Sequence, residues 1–181
     1  ITERTKAIFI NSPWNPTGRV LTVEELSAIA DIAVRNDLWV VADEVYSELV
    51  FGESRHVSIA SLGPEVAERT IIASSLSKSF ALTGWRLGYC VAPPELAAVF
   101  TKINHTTTRC AASIVQYAAV AAFENALPDV AAMREEYAAR GRAVACGFNQ
   151  IQGVRCPIPE GTFYALAQIP AEWGSSATVA E

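Results

Sequence analysis

Short, unbroken apolar runs punctuate the first half of the chain. Ala7-Ile8-Phe9-Ile10 leads into a loop rich in Asn, Pro and Gly. Leu38-Trp39-Val40-Val41-Ala42 ends at Asp43, and Thr70-Ile71-Ile72-Ala73 runs into serines ahead of Lys78. Runs this short without polar alternation suit the strands of a parallel sheet, buried on both faces. Leu87 to Ala92 supplies a fourth candidate strand. Between the first two, Thr22 with Glu25 three residues on reads as a capping box. Leu26, Ile29, Ala30, Ala33 and Val34 then keep helical spacing. Strand, helix, strand predicts a βαβ unit and an α/β fold.

After Pro93-Pro94 the hydrophobic period lengthens. Helices are expected over 94–106, 112–125 and 128–149. The last carries Met133, Tyr137 and Val144 on its apolar side, with Gly141 and Gly147 as weak points. Beyond Gly153 short strands are expected, Phe163-Tyr164-Ala165-Leu166 being the clearest. A domain change is expected within the long helix or just after it. Residues 1–140 then form part of a large domain, and 141–181 begin a small, incomplete α+β domain. No internal repeat interrupts this pattern.

Composition narrows the class. About half of the 181 residues are apolar (51%), as in a folded globular chain. Net charge is −5 and no basic patch is interleaved with aromatics, so nothing points to nucleic acid. No apolar run approaches the roughly 20 residues of a membrane helix, and no secretory signal is visible. Cys90, Cys110, Cys146 and Cys156 form no CxxC pair, and the histidines are only His56 and His105. A zinc site is therefore not expected, and reduced thiols in a cytoplasmic protein are. The chain opens at Ile1 close to a strand and stops at Glu181 without a closing signal, which reads as an internal fragment of a longer protein.

The candidate chemistry falls at strand ends, where open α/β sheets bind ligands. Asn15 follows the first strand, Asp43 ends the second, and Ser75, Ser77 and Lys78 follow the third. A lone lysine is usually a solvated surface group, but a desolvated one supplies a neutral amine for Schiff-base chemistry. Asp43 can be a helix N-cap or a buried carboxylate that needs a cationic partner. Tyr46 can share its side of a turn, or simply pack with its hydroxyl bonded. Arg86 with nearby serine hydroxyls suits a phosphate, or else forms a surface ion pair.

Four signatures occur in order. They are Asn11-Ser12-Pro13-Trp14-Asn15-Pro16-Thr17-Gly18; Ala42-Asp43-Glu44-Val45-Tyr46; Ser75-Leu76-Ser77-Lys78 with Thr83-Gly84-Trp85-Arg86-Leu87-Gly88-Tyr89; and Pro159-Glu160-Gly161-Thr162-Phe163-Tyr164. Together they resemble the class I/II aminotransferases, pyridoxal-phosphate enzymes of fold type I. The resemblance implies a mostly parallel sheet with helices on both faces. It implies pyridoxal 5′-phosphate as cofactor, amino-acid and 2-oxo-acid substrates, and a homodimer. By position Lys78 looks like the Schiff-base lysine, and Asp43 like the partner of the pyridine nitrogen. Tyr46 and Asn15 look like the pair bonding the cofactor's phenolic oxygen. Ser75, Ser77 and Arg86 look like part of the phosphate cup. To the Gly161–Tyr164 segment no chemistry is assigned.

The family's glycine-containing phosphate loop, its ring-stacking aromatic and its carboxylate-gripping arginine have no match here. Arg86, Arg109 and Arg155 do not lie in the arginine's motif. The chain by itself is therefore expected to bind cofactor poorly. Within the same fold are carbon–sulfur lyases, which usually carry a histidine where Val45-Tyr46 stand. The sensor domains of certain transcription regulators are the other alternative, and a DNA-binding segment ahead of the domain would mark them.

Overall fold

The computed structural model describes residues 1–180 and builds them around a four-stranded sheet. The spatial order is β1 (Ala7–Asn11), β2 (Trp39–Asp43), β3 (Thr70–Ser75) and β4 (Gly88–Val91). The three apolar runs are β1 to β3, all parallel, and β4 returns antiparallel to β3. The register sets Asn11 beside Asp43 and Asp43 beside Ala73. The carboxyl ends of the parallel strands are therefore level, and the loops after them open on one edge.

Helix α1 (Val23–Arg35) forms where the spacing predicts it. Both halves of the capping box at Thr22 and Glu25 are made. Its buried Leu26, Ala30 and Ala33 pack on Val40 and Ala42 of β2, with Leu38, Ile59 and Val66 completing the core. Because strand side chains alternate, Val40 and Ala42 face α1, whereas Trp39, Val41 and Asp43 face the other side. That second face is more open, with Phe9 of β1 68% exposed. Removing the cap should be felt: Thr22→Ala is expected to cost about 1 kcal/mol. It should lower the urea midpoint without changing the slope of the transition.

Short helices α2 (Pro64–Ala67) and α3 (Leu76–Ser79) flank β3. Then come α4 (Pro94–Thr106), α5 (Ser113–Asn125) and α6 (Leu127–Asn149), each within a residue of its predicted span. α6 runs unbroken through Gly141. A Cβ there would lie 3.0 Å from Pro159 Cγ, so the missing side chain lets the 157–162 segment lie against the helix. α7 (Ser176–Ala180) follows a short 3₁₀ turn at Ala171–Trp173.

The expected strand over Phe163–Leu166 is not formed. Only isolated bridges occur in this region, Val50 with Gly161 and Arg155 with Gln168. An extended segment becomes a strand only when a neighbour pairs along it, and among the described residues none does. Among the described residues, no helix is long and apolar enough to cross a membrane, and no group of acidic, His or Cys side chains could hold a metal.

Candidate active site

The edge of the parallel strands is built from loops that hold one another in place. After β1 the chain turns through Asn11–Gly18, with Asn11 Oδ1 accepting from Asn15 N at 2.9 Å and Trp14 O accepting from Gly18 N at 2.8 Å. Gly18 has φ +72°, and a Cβ on it would come within 2.5 Å of Pro159 Cβ. Only glycine meets both demands. The close approach lets Gly18 O accept from Glu160 N and Gly161 N at 2.9 and 2.8 Å. Val20 N in turn donates to Glu160 Oε2 at 2.8 Å. Thr162, fully buried, donates its N–H to Leu49 O at 2.8 Å. The fourth signature is thus fastened to the first two.

Asp43 closes β2. Its backbone carbonyl accepts from Ser12 N at 3.2 Å and Asn11 Nδ2 at 3.1 Å, and its Oδ1 accepts from Val45 N at 3.3 Å. That last bond shapes the turn that brings Tyr46 round. Tyr46 is 3% exposed. Burial above all pushes its phenol up, out of its ordinary range; the neighbouring Tyr164 hydroxyl and the Asp43 charge add to this, and the Asn15 amide opposes it. The phenol therefore stays protonated at neutral pH and its O–H is available as a donor. Asn15, Asp43 and Tyr46, far apart in sequence, are brought together as the strand-end argument expects.

Lys78 lies in α3, directly after β3. Ser75 caps this helix: its Oγ accepts from Ser77 N at 3.0 Å and donates to Leu87 O at 3.1 Å. Leu87 O also accepts from Leu76 N at 3.3 Å. The Thr83–Leu87 segment is held in this way against the serine loop. Ser77 is buried. Arg86 is exposed, in the left-handed region at φ 57°, with Nη1 donating to Thr83 O at 3.1 Å. Among the described residues neither Lys78, Asp43 nor Arg86 enters an ion pair.

An aromatic wall that no spacing in the sequence announces closes this edge. Phe163 and Tyr164 stand edge-on to Tyr46, with ring centroids 5.4 and 6.2 Å away. Lys78 Nζ lies 5.6 Å from the Phe163 ring centre, a cation–π distance. Both rings thus stand against Tyr46, and Phe163 also lies beside Lys78. The signal in the sequence was their place directly after Gly161-Thr162, whose compactness lets the segment reach Tyr46.

This fold and this set of strand-end residues define a class, and the chain belongs to it: the family of class I and II aminotransferases matches residues 1–180. The aspartate aminotransferase of Geobacillus stearothermophilus is 41% identical over 164 residues, covering 91% of this chain and 42% of that protein. A putative aminotransferase of Bacillus subtilis, YugH, is 43% identical over all 181 residues and 46% of its own length. Among solved structures, the aromatic aminotransferase of Pyrococcus horikoshii superposes with a TM-score of 0.91 at 41% identity, over 97% of this chain and 47% of that one. The N-succinyldiaminopimelate aminotransferase of Mycobacterium tuberculosis superposes at 0.85, also 41% identical, over 90% of this chain and 42% of that one. The chain spans somewhat less than half the length of these proteins.

Proposed function

We propose that this chain is the cofactor-holding part of a pyridoxal-phosphate-dependent aminotransferase. The reading is carried by one observation: Asp43, Tyr46 and Asn15 gather on one strand edge with Lys78 at its side, and neither charged group has an ion-pair partner among the described residues. This donor set fits pyridoxal 5′-phosphate. An aldehyde, a phenolic oxygen, a ring nitrogen and a phosphate find in turn an amine, a hydroxyl with an amide, a carboxylate, and serines with an arginine. When bound, the cofactor supplies an electron sink for charge released at the substrate α-carbon.

The residues supply the rest. Asp43 is the anion that keeps the ring nitrogen protonated. Tyr46 and Asn15 donate to the phenolic oxygen. Ser75, Ser77 and Arg86 hold the phosphate through charge-assisted hydrogen bonds of about 1.5–3 kcal/mol each. Lys78 would hold the cofactor through Nζ and, with that amine free, would be the base that takes the proton from the substrate α-carbon. The substrates are an amino acid and a 2-oxo acid. A homodimer in the cytoplasm, with a large-domain boundary inside α6 near residue 140, completes the proposal. The test uses the whole protein that carries this chain, offered aspartate or an aromatic amino acid with 2-oxoglutarate. Glutamate and the new 2-oxo acid should form in equal amounts. Offered cysteine, whose thiol can leave the β-carbon, the release of pyruvate, ammonia and sulfide with no glutamate formed from 2-oxoglutarate would overturn the assignment.

A further inference from the structure

A second set of side chains holds the same strand end from behind. Successive strand residues point to opposite sides, and Glu44 turns away from Asp43 into the protein. It is 8% exposed. A carboxylate only accepts, so both of its bonds come from one segment: Ser58 Oγ donates to Oε1 at 2.7 Å and His56 Nε2 to Oε2 at 3.3 Å. His56 Nδ1 is buried without a partner. Ser58 leads directly into Ile59, a fully buried core residue. Burying a charge costs several kcal/mol unless it is well partnered, and apolar packing at such a position is often as stable. A requirement for packing alone does not account for Glu44.

Its backbone is the pivot of the functional turn. Glu44 N donates to Ala73 O at 2.9 Å, and Glu44 O accepts from Ser47 N at 3.0 Å. Ser74 Oγ lies 3.5 Å from the same carbonyl. A shift of Glu44 is thus passed to Asp43 on one side and to Tyr46 on the other. The geometry points to Glu44, His56 and Ser58 as positioning residues, a brace that fixes the aim of Asp43 and Tyr46 at the cofactor. This rests on the reading of those two as cofactor-binding residues.

The test compares three variants of the whole protein: Glu44→Gln, Ser58→Ala, and Thr70→Val as a control. Thr70 Oγ1 makes a buried bond of 2.7 Å to Val66 O, away from the turn. Each variant is measured for its melting temperature, its dissociation constant for pyridoxal 5′-phosphate by equilibrium dialysis, and the visible circular dichroism of the bound cofactor. At metal sites the loss of a supporting partner typically costs 10–100-fold in affinity or activity, and the low end of that scale is expected here. Glu44→Gln should therefore bind the cofactor about tenfold more weakly, with a diminished dichroic band. Ser58→Ala should move the same way, less far. Thr70→Val should lower the melting temperature and leave the other two readings as in the wild type. Wild-type affinity and dichroism in both Glu44→Gln and Ser58→Ala would overturn the brace, as would equal effects from Thr70→Val. If Glu44→Gln does not fold, Ser58→Ala, which keeps the carboxylate, decides. A wild-type protein without Lys78-dependent absorbance would instead sink the functional reading itself.

Discussion

Replacing Lys78 by alanine should abolish the cofactor's visible absorbance and lower turnover by about 10⁴-fold or more. Two proposed roles would be lost together, the covalent hold on the cofactor and the base at the substrate α-carbon. The effect should not come from misfolding. Lys78 sits in a four-residue helix whose cap bond runs from Ser77 N to the Ser75 side chain, and its own side chain makes no ion pair among the described residues. Alanine is also the best helix former. The apo-protein should melt close to the wild type while the spectrum and the turnover collapse. Retained absorbance and turnover in the variant would end the assignment of Lys78.

Asp43→Asn should behave differently. The change is nearly isosteric, and the asparagine Oδ1 can still accept from Val45 N, the bond that shapes the turn. Cofactor should stay bound, since Lys78 and the residues proposed to hold the phosphate are untouched. Turnover should nevertheless fall roughly 10²–10³-fold, the scale seen when a preorganised electrostatic partner is removed from an active site. A neutral amide cannot hold the ring nitrogen protonated, and that protonation is what draws electrons from the reacting carbon. Stopped-flow and steady-state rates on variant protein with cofactor fully bound give the measurement. An unchanged rate would remove Asp43 from its proposed role.

Much of this architecture is legible in the residues because local and long-range signals agree. The apolar runs at Ala7, Leu38 and Thr70 each become a strand. The Thr22–Glu25 box caps α1, and the helices after Pro94 keep their predicted bounds. That Asn15, Asp43 and Tyr46 would meet was legible because the topology of parallel strands forces their following loops to one edge. What was not legible depends on tertiary partners. Phe163-Tyr164-Ala165-Leu166 has strand composition, yet no partner lies along it, and its aromatics turn instead to Tyr46. The Glu44–His56–Ser58 cluster was equally hidden. Nothing in the spacing of a glutamate, a histidine and a serine twelve and fourteen residues apart announces that a core turn will bring them together.

The pair of bonds from Glu160 and Gly161 to Gly18 O has a consequence for how the site comes into being. The neighbouring contact from Val20 to the Glu160 side chain spans 140 residues. Closure entropy rises slowly with length, by about 0.6 kcal/mol per doubling, but contacts so distant in sequence form slowly. Asp43 at the end of β2 and Lys78 in α3 just after β3 can be placed by nearer neighbours, whereas the aromatic wall needs the far end of the segment to arrive. Native-state opening is expected first at contacts that span so much of the chain, before the sheet itself, so amide exchange at Glu160 and Gly161 should be faster than along β1 to β3.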